Sequence, residues 1–185
     1  MSFFDYIFGF EHVLPVLLQE YGVWIYALLF LIIFSETAFV FMFFLPGDSL
    51  LLTVGALCSV VEIMHLGYMI SLLFIAATLG YIVNYHTGRY FGGRIFNLKS
   101  RFIKQEYLYK TNEYFLRHGG KTILLARFIP FARSFAPLAA GSSNMNYMHF
   151  MLYNILGALL WICLLVGGGY LFGHALIQVG DLVDG

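Results

Sequence analysis

Residues 34–57 read FSETAFVFMFFLPGDSLLLTVGAL, an almost wholly apolar run that carries Glu36 and then sets Pro46, Gly47 and Asp48 side by side. A plain membrane-spanning helix has no use for any of the four. Pro46 lacks a backbone donor and clashes with the preceding turn, and Gly47 tolerates the backbone angles of a tight bend. The stretch therefore predicts two half-helices on either side of residues 44–48, a hairpin over about 31–62 that turns back inside an apolar layer. Asp48 is expected as the N-cap of a half-helix beginning at Ser49. Backbone groups freed at such a bend are tolerated in a bilayer only when buried in protein or facing a water-filled cavity.

Composition says that the layer is a bilayer. Of 185 residues, 61% are hydrophobic and only 11% are charged, where a soluble domain carries about a quarter charged. The apolar residues come in runs and do not alternate, which argues for helices over a barrel. The class is an all-α polytopic membrane protein. Residues 66–88 and 148–175 are uncharged and long enough to cross a core of ~30 Å at ~1.5 Å per residue. Gly169 and Gly173 form a small-xxx-small pair suited to close helix packing. Residues 122–145 are broken by Arg127, Pro130, Arg133 and Pro137, and Gly141 with the polar residues after it allows a turn. A second re-entrant hairpin is expected there. Residues 1–20 read as an interfacial amphipathic segment, and residues 21–185 as one membrane domain. The polar stretch after Arg94 reads as a basic amphipathic helix at about 102–117, stopped by Gly119 and Gly120. Broken segment, span, basic helix, broken segment, span is a twofold pattern, and it predicts two inverted repeats.

Charge sets the expected sidedness. All ten Lys and Arg lie between Arg89 and Arg133. By the positive-inside rule residues 89–121 are cytoplasmic, which puts both termini outside. The same basic stretch attracts anionic membrane lipids. Cys58 and Cys163 sit in apolar surroundings and read as small buried hydrophobes. No Cys/His spacing suggests a metal, no cofactor loop is present, and no Ser-His-Asp spacing suggests an enzyme; nothing points to nucleic acid.

Four ionisable residues at membrane depth remain: Glu36, Asp48, Arg127 and Arg133. Left alone in lipid they would cost on the order of 10–14 kcal/mol together, so mutual pairing is the expected solution. A guanidinium fork suits phosphate oxygens, and a carboxylate held between burial and an arginine can exchange a proton. The residues thus point to transport of an anionic substrate with protons as possible coupling ions. A proton-driven ion or drug antiporter, with structural arginines, is the competing reading. A lipid phosphatase is a third, without a visible nucleophile.

The stretches FSETAFVFMFFLPGDSLLLTVGAL (34–57), VNYHTGRYFGGRIF (83–96), HGGKTILLARFIPFARSFAPLAAG (118–141) and YNILGALLW (153–161) resemble the DedA family of bacterial inner-membrane proteins, also called SNARE-associated or VTT-domain proteins. The resemblance covers nearly the whole chain. It implies two re-entrant hairpins, a proton-coupling acidic pair at Glu36 and Asp48, and a substrate-binding arginine pair at Arg127 and Arg133. It implies translocation of a phosphate-bearing lipid, with undecaprenyl phosphate favoured, or general phospholipid scrambling; self-association is left open. The chain departs from the family pattern at Phe43, where many members have proline, and at Tyr81, where some have aspartate.

Overall fold

The computed structural model describes residues 24–42, 47–60, 65–97, 119–143 and 145–183. Within them the chain is all-α. The helices are α1 (Trp24–Ala38), α2 (Gly47–Val60), α3 (Leu66–Asn97), α4 (Lys121–Ala126), α5 (Pro130–Ser142) and α6 (Tyr147–Val183), with a 3-10 turn at Val40–Met42. Two stretches are long and apolar enough to cross a membrane, Leu66–Phe91 of α3 and Tyr147–Ala175 of α6. Their outer faces expose Ile75, Leu79 and Val83 on α3, and Leu152, Ile155, Leu156 and Leu159 on α6. In water such stripes would be interaction patches; against lipid tails they are ordinary surface. Helix α3 continues past Arg89 to Asn97, because nothing in RYFGGRIFN removes a backbone donor. Cys58 is buried as expected, but Cys163 is exposed on the outer face of α6, beside Leu159, Leu160 and Leu164. The interfacial segment at 1–20 and the basic helix at 102–117 lie outside the described residues.

Both broken segments are broken in the structure. In the first, Glu36 near the end of α1 lies against Gly47 at the start of α2, where any Cβ would overlap its carboxylate. Tyr26, near the beginning of α1, is within electrostatic reach of Cys58, near the end of α2. Those two pairings, in that order, mean that α2 runs back along α1. The bend itself, with Pro46, lies outside the described residues. Helix α2 begins at Gly47, so Asp48 is in its first turn and does not serve as the expected N-cap before Ser49. Its carboxylate is drawn to a guanidinium instead.

In the second broken segment α4 ends at Ala126, residues 127–129 turn, and Pro130 opens α5, where its missing donor costs nothing. The chain does turn after Gly141, but only from Ser143, and neither Pro137 nor Gly141 forms the turn. Both residues lie inside α5, in a buried run of small side chains that includes Ser134, Ala136, Ala139 and Ala140. Residues that let a chain turn also let helices approach, and here packing against α3 outweighs the hydrogen bond that Pro137 forgoes. Gly119 has the left-handed φ of 59° just before α4, which glycine adopts without a steric cost.

Two helix crossings hold the bundle together, and they are built alike. Where α2 crosses α6, a Cβ on Gly55 would overlap the Val166 carbonyl and one on Gly169 the Leu52 carbonyl. Where α5 crosses α3, a Cβ on Gly141 would overlap the Tyr85 carbonyl and one on Gly88 the Leu138 carbonyl. Each crossing is thus a reciprocal glycine-to-carbonyl contact, and on every helix involved the two contact positions are three residues apart. Gly173 extends the first crossing, facing Ala56 and Ser59. Gly169→Leu is expected to force backbone from backbone, at about 1–3 kcal/mol or more, lowering the thermal midpoint of the detergent-purified protein by several degrees. Gly168→Leu, next door but facing open space, should leave it unchanged. Equal midpoints for the two variants would contradict the crossing.

The apolar interior has two parts. One gathers Ile33, Leu51, Val54, Met69, Leu73 and Ile162 from α1, α2, α3 and α6. The other gathers Tyr81, Tyr85, Ile123, Ala136, Ala139 and Phe150 from α3, α4, α5 and α6. Between them lies a layer of buried polar and charged side chains.

Candidate functional site

Arg133, one turn into α5, is the centre of that layer. Its Nη2 donates to Glu36 Oε1 from the end of α1. Its Nη1 donates to Asp48 Oδ1 from the first turn of α2 at 2.6 Å. The same Asp48 oxygen accepts from Trp161 Nε1 of α6 at 3.1 Å. Four helices are joined through one guanidinium. Glu36 is wholly buried and Arg133 is 3% exposed, whereas the Asp48 side chain is 42% exposed. The layer therefore opens to its surroundings at Asp48.

Arg127 caps the C-terminal end of α4, where a cation complements the helix dipole. It is 1% exposed, yet it meets no carboxylate among the described residues. Its Nη2 donates to Asn154 Oδ1 at 2.7 Å and lies 3.5 Å from the Ala77 carbonyl. Its Cζ stands 3.9 Å from the centre of the Tyr81 ring and 5.8 Å from that of Trp161. The expected mutual pairing is found around one arginine: both carboxylates go to Arg133, and Arg127 is held by an amide and aromatic faces. The reason is positional. Arg127 reaches α3 and α6, while the acids sit at the α1–α2 bend facing α5. The four charges still sum to zero, but as an acidic half of net −1 and a lone cation of +1.

Two asparagines that the sequence reading passed over organise the layer. Asn84 of α3 donates from Nδ2 to the Thr37 carbonyl at 3.2 Å and to the Ser134 carbonyl at 2.8 Å. Those residues adjoin Glu36 and Arg133, so one amide ties both ends of the buried ion pair. Asn154 of α6 accepts from Arg127 and donates to the Thr78 carbonyl at 3.2 Å. An amide in an otherwise apolar span is a legible signal, because only a partner on another helix makes it affordable.

Many buried polar atoms here have no hydrogen-bond partner among the described residues. They include Arg127 Nε and Nη1, Arg133 Nε, Glu36 Oε2, the Tyr81 hydroxyl, Thr78 Oγ1 and Ser134 Oγ. Native interiors leave few such groups unmatched. The layer also sits at mid-length of the spanning helices: Trp161 is the midpoint of Tyr147–Ala175, and Ala77, Thr78 and Tyr81 are central in Leu66–Phe91. Among the described residues no group of three or more His, Cys, Asp or Glu could hold a metal ion. What the arrangement offers is charge exchange and hydrogen bonding to an anion.

Comparison with known proteins gives several matches. The VTT domain model matches residues 45–171. Protein DedA of Escherichia coli K12 is 49% identical over 171 residues, covering 91% of this chain and 78% of that protein. The uncharacterized membrane protein ML0287 of Mycobacterium leprae is 39% identical over 146 residues, covering 77% and 64%. Inner membrane protein YqjA of Escherichia coli K12 is 37% identical over 153 residues, covering 80% and 68%. No solved structure matches.

Proposed function

The chain belongs to the VTT-domain family that includes the DedA proteins, and from that premise we propose that it is a carrier for a lipid with an anionic phosphate headgroup in the bacterial inner membrane. The headgroup passes through the polar layer while the lipid tail stays among acyl chains. Undecaprenyl phosphate is the favoured cargo. Arg127 and Arg133 are the phosphate contacts, and Glu36 and Asp48 are the proton-exchanging pair.

The observation that carries this reading is the buried Arg127: among the described residues its Nε and Nη1 have no partner and no acid neutralises it. A purely structural arginine at mid-span would be expected to spend its donors on backbone or carboxylate. Arg133 plays a different part. It is held by two carboxylates until one of them takes up a proton, and a neutral Glu36 loosens its grip on the guanidinium. Proton uptake then exposes a second cation to the arriving headgroup, and release of the headgroup lets the ion pair reform. Residues 89–121 face the cytoplasm in this reading.

An inverted, two-hairpin architecture is part of the proposal. Its support is the repeated crossing: the second helix of each hairpin, α2 or α5, packs across the long helix of the other half through the same reciprocal glycine contact. Halves exchanged in this way give two doors onto one site, as alternating access needs. A general phospholipid scramblase would use the same site without proton coupling.

Purified protein in proteoliposomes is expected to move undecaprenyl phosphate between leaflets, faster with an imposed proton gradient. Undecaprenol, which lacks the phosphate, should not be carried. Transport stimulated by a metal or drug cation and indifferent to the polyprenyl phosphate would replace this reading with the antiporter.

A further inference from the structure

Helix α3 carries two buried hydroxyl groups, at Thr78 and Tyr81, that have no hydrogen-bond partner among the described residues. Thr37, Thr53, Ser71 and Thr87 each turn the hydroxyl back onto the carbonyl four residues earlier. That is the ordinary fate of such a group in a helix. Thr78 Oγ1 does not; it is buried without a partner among the described residues. One turn on, Tyr81 is wholly buried, and its hydroxyl also has no partner among the described residues. Leaving a hydroxyl unmatched in a protein interior costs about 1–3 kcal/mol, and phenylalanine or valine would fill the same space without that cost.

The Tyr81 ring and the backbone at Thr78 stand beside the lone cation. The Tyr81 ring lies under the Arg127 guanidinium at 3.9 Å, and the Thr78 carbonyl is bound by Asn154, the same amide that accepts from Arg127. Tyr81 is also within electrostatic reach of Arg133 and Glu36, which places it where the two halves of the polar layer meet.

We propose that the Tyr81 and Thr78 hydroxyls, with Nε and Nη1 of Arg127, form an oxyanion subsite that receives the phosphate of the cargo, while Arg133 stays with Glu36 and Asp48 when the headgroup first binds. The inference rests on the anion-carrier reading and assigns its first binding position. Several donors from a guanidinium and two hydroxyls suit a tetrahedral oxyanion with more than one free oxygen, as in a phosphate monoester. The two carboxylates on Arg133 repel such an anion, so the headgroup enters on the Arg127 side.

Dodecyl phosphate titrated into the detergent-purified chain tests this, with quenching of Trp161 as the readout in a Trp24→Phe background. Tyr81→Phe and Thr78→Val should each weaken binding about tenfold, the worth of a hydrogen bond to a charged group. The thermal midpoint should hold or rise, because an unmatched hydroxyl is removed. Arg127→Gln should abolish binding. If Arg127→Gln abolishes it and both hydroxyl variants bind like wild type, the subsite is refuted and the carrier reading stands. If Arg127→Gln binds like wild type, the carrier reading itself falls. Inorganic phosphate is titrated alongside: weak competition is expected for a lipid headgroup site, and competition at equal concentration would assign the subsite to free oxyanions.

Discussion

Arg133→Met is expected to abolish transport and to destabilise the protein by about 3–5 kcal/mol, the usual result of breaking a buried ion pair from one side. The guanidinium is the shared partner of Glu36 and Asp48. Its removal strands a wholly buried carboxylate at the α1–α2 bend and a second, partly exposed one beside it. For a chain of this length such a loss corresponds to a thermal midpoint lower by about 6–20 °C. The two acids should not share the damage equally. Glu36 has no water to fall back on, whereas the Asp48 side chain is 42% exposed and is partly screened. Adding Glu36→Gln to Arg133→Met should therefore restore most of the lost stability, and adding Asp48→Asn little of it. Neither double variant should transport. The check is a thermal midpoint series on the purified single and double variants, with flux measured in vesicles on the same samples. Full stability in Arg133→Met alone would mean that the three-residue cluster is not what joins α1, α2 and α5.

The four charged members of the site were legible in the sequence because hydrocarbon makes each of them expensive, and expense demands a reason. Their partners were not. Which acid meets which arginine depends on the rotation and tilt of six helices, and composition carries neither. Charge counting suggested mutual pairing; the described residues give one guanidinium with two acids and one with none. Tyr81 stood out only as a departure from the family pattern, because tyrosine in a membrane helix is commonplace near an interface, and only its burial beneath Arg127 marks it as part of the site. Pro137 and Gly141 were misread for a physical reason: absence of a donor and absence of a Cβ serve a bend or a close crossing alike. Gly169 shows the opposite case, since its spacing from Gly173 left close packing as its plain use, and α2 is packed there. Asp48 fitted the pattern of a helix cap so well that its nearer attraction, a cation on another helix eighty-five residues on, had no signature at all.

Arg127→Gln is expected to divide stability from function where Arg133→Met unites them. Arg127 has no carboxylate partner among the described residues, so its removal strands no charge there. It takes away a buried cation whose desolvation is only partly offset by the Tyr81 and Trp161 rings and by Asn154. Exchanging a poorly compensated buried charge for a neutral side chain is often neutral or stabilising. The thermal midpoint should accordingly stay within a few degrees of wild type, or rise. Transport should nonetheless fall on the order of a hundredfold or more, the effect of truncating one side of a buried charge pair in a complex. Arg127→Lys separates charge from shape. It keeps the cation but loses the planar fork that stacks on Tyr81 and offers donors in a fixed plane, so its rate should fall between the two. Initial rates in vesicles, read beside midpoints of the same preparations, decide the matter. If Arg127→Gln unfolds as readily as Arg133→Met, both arginines hold the bundle together, and the anion must be sought outside this layer. If Arg127→Gln folds well and carries lipid at the wild-type rate, the lone cation is neither brace nor binding group, and the carrier loses the charge on which its selectivity depends.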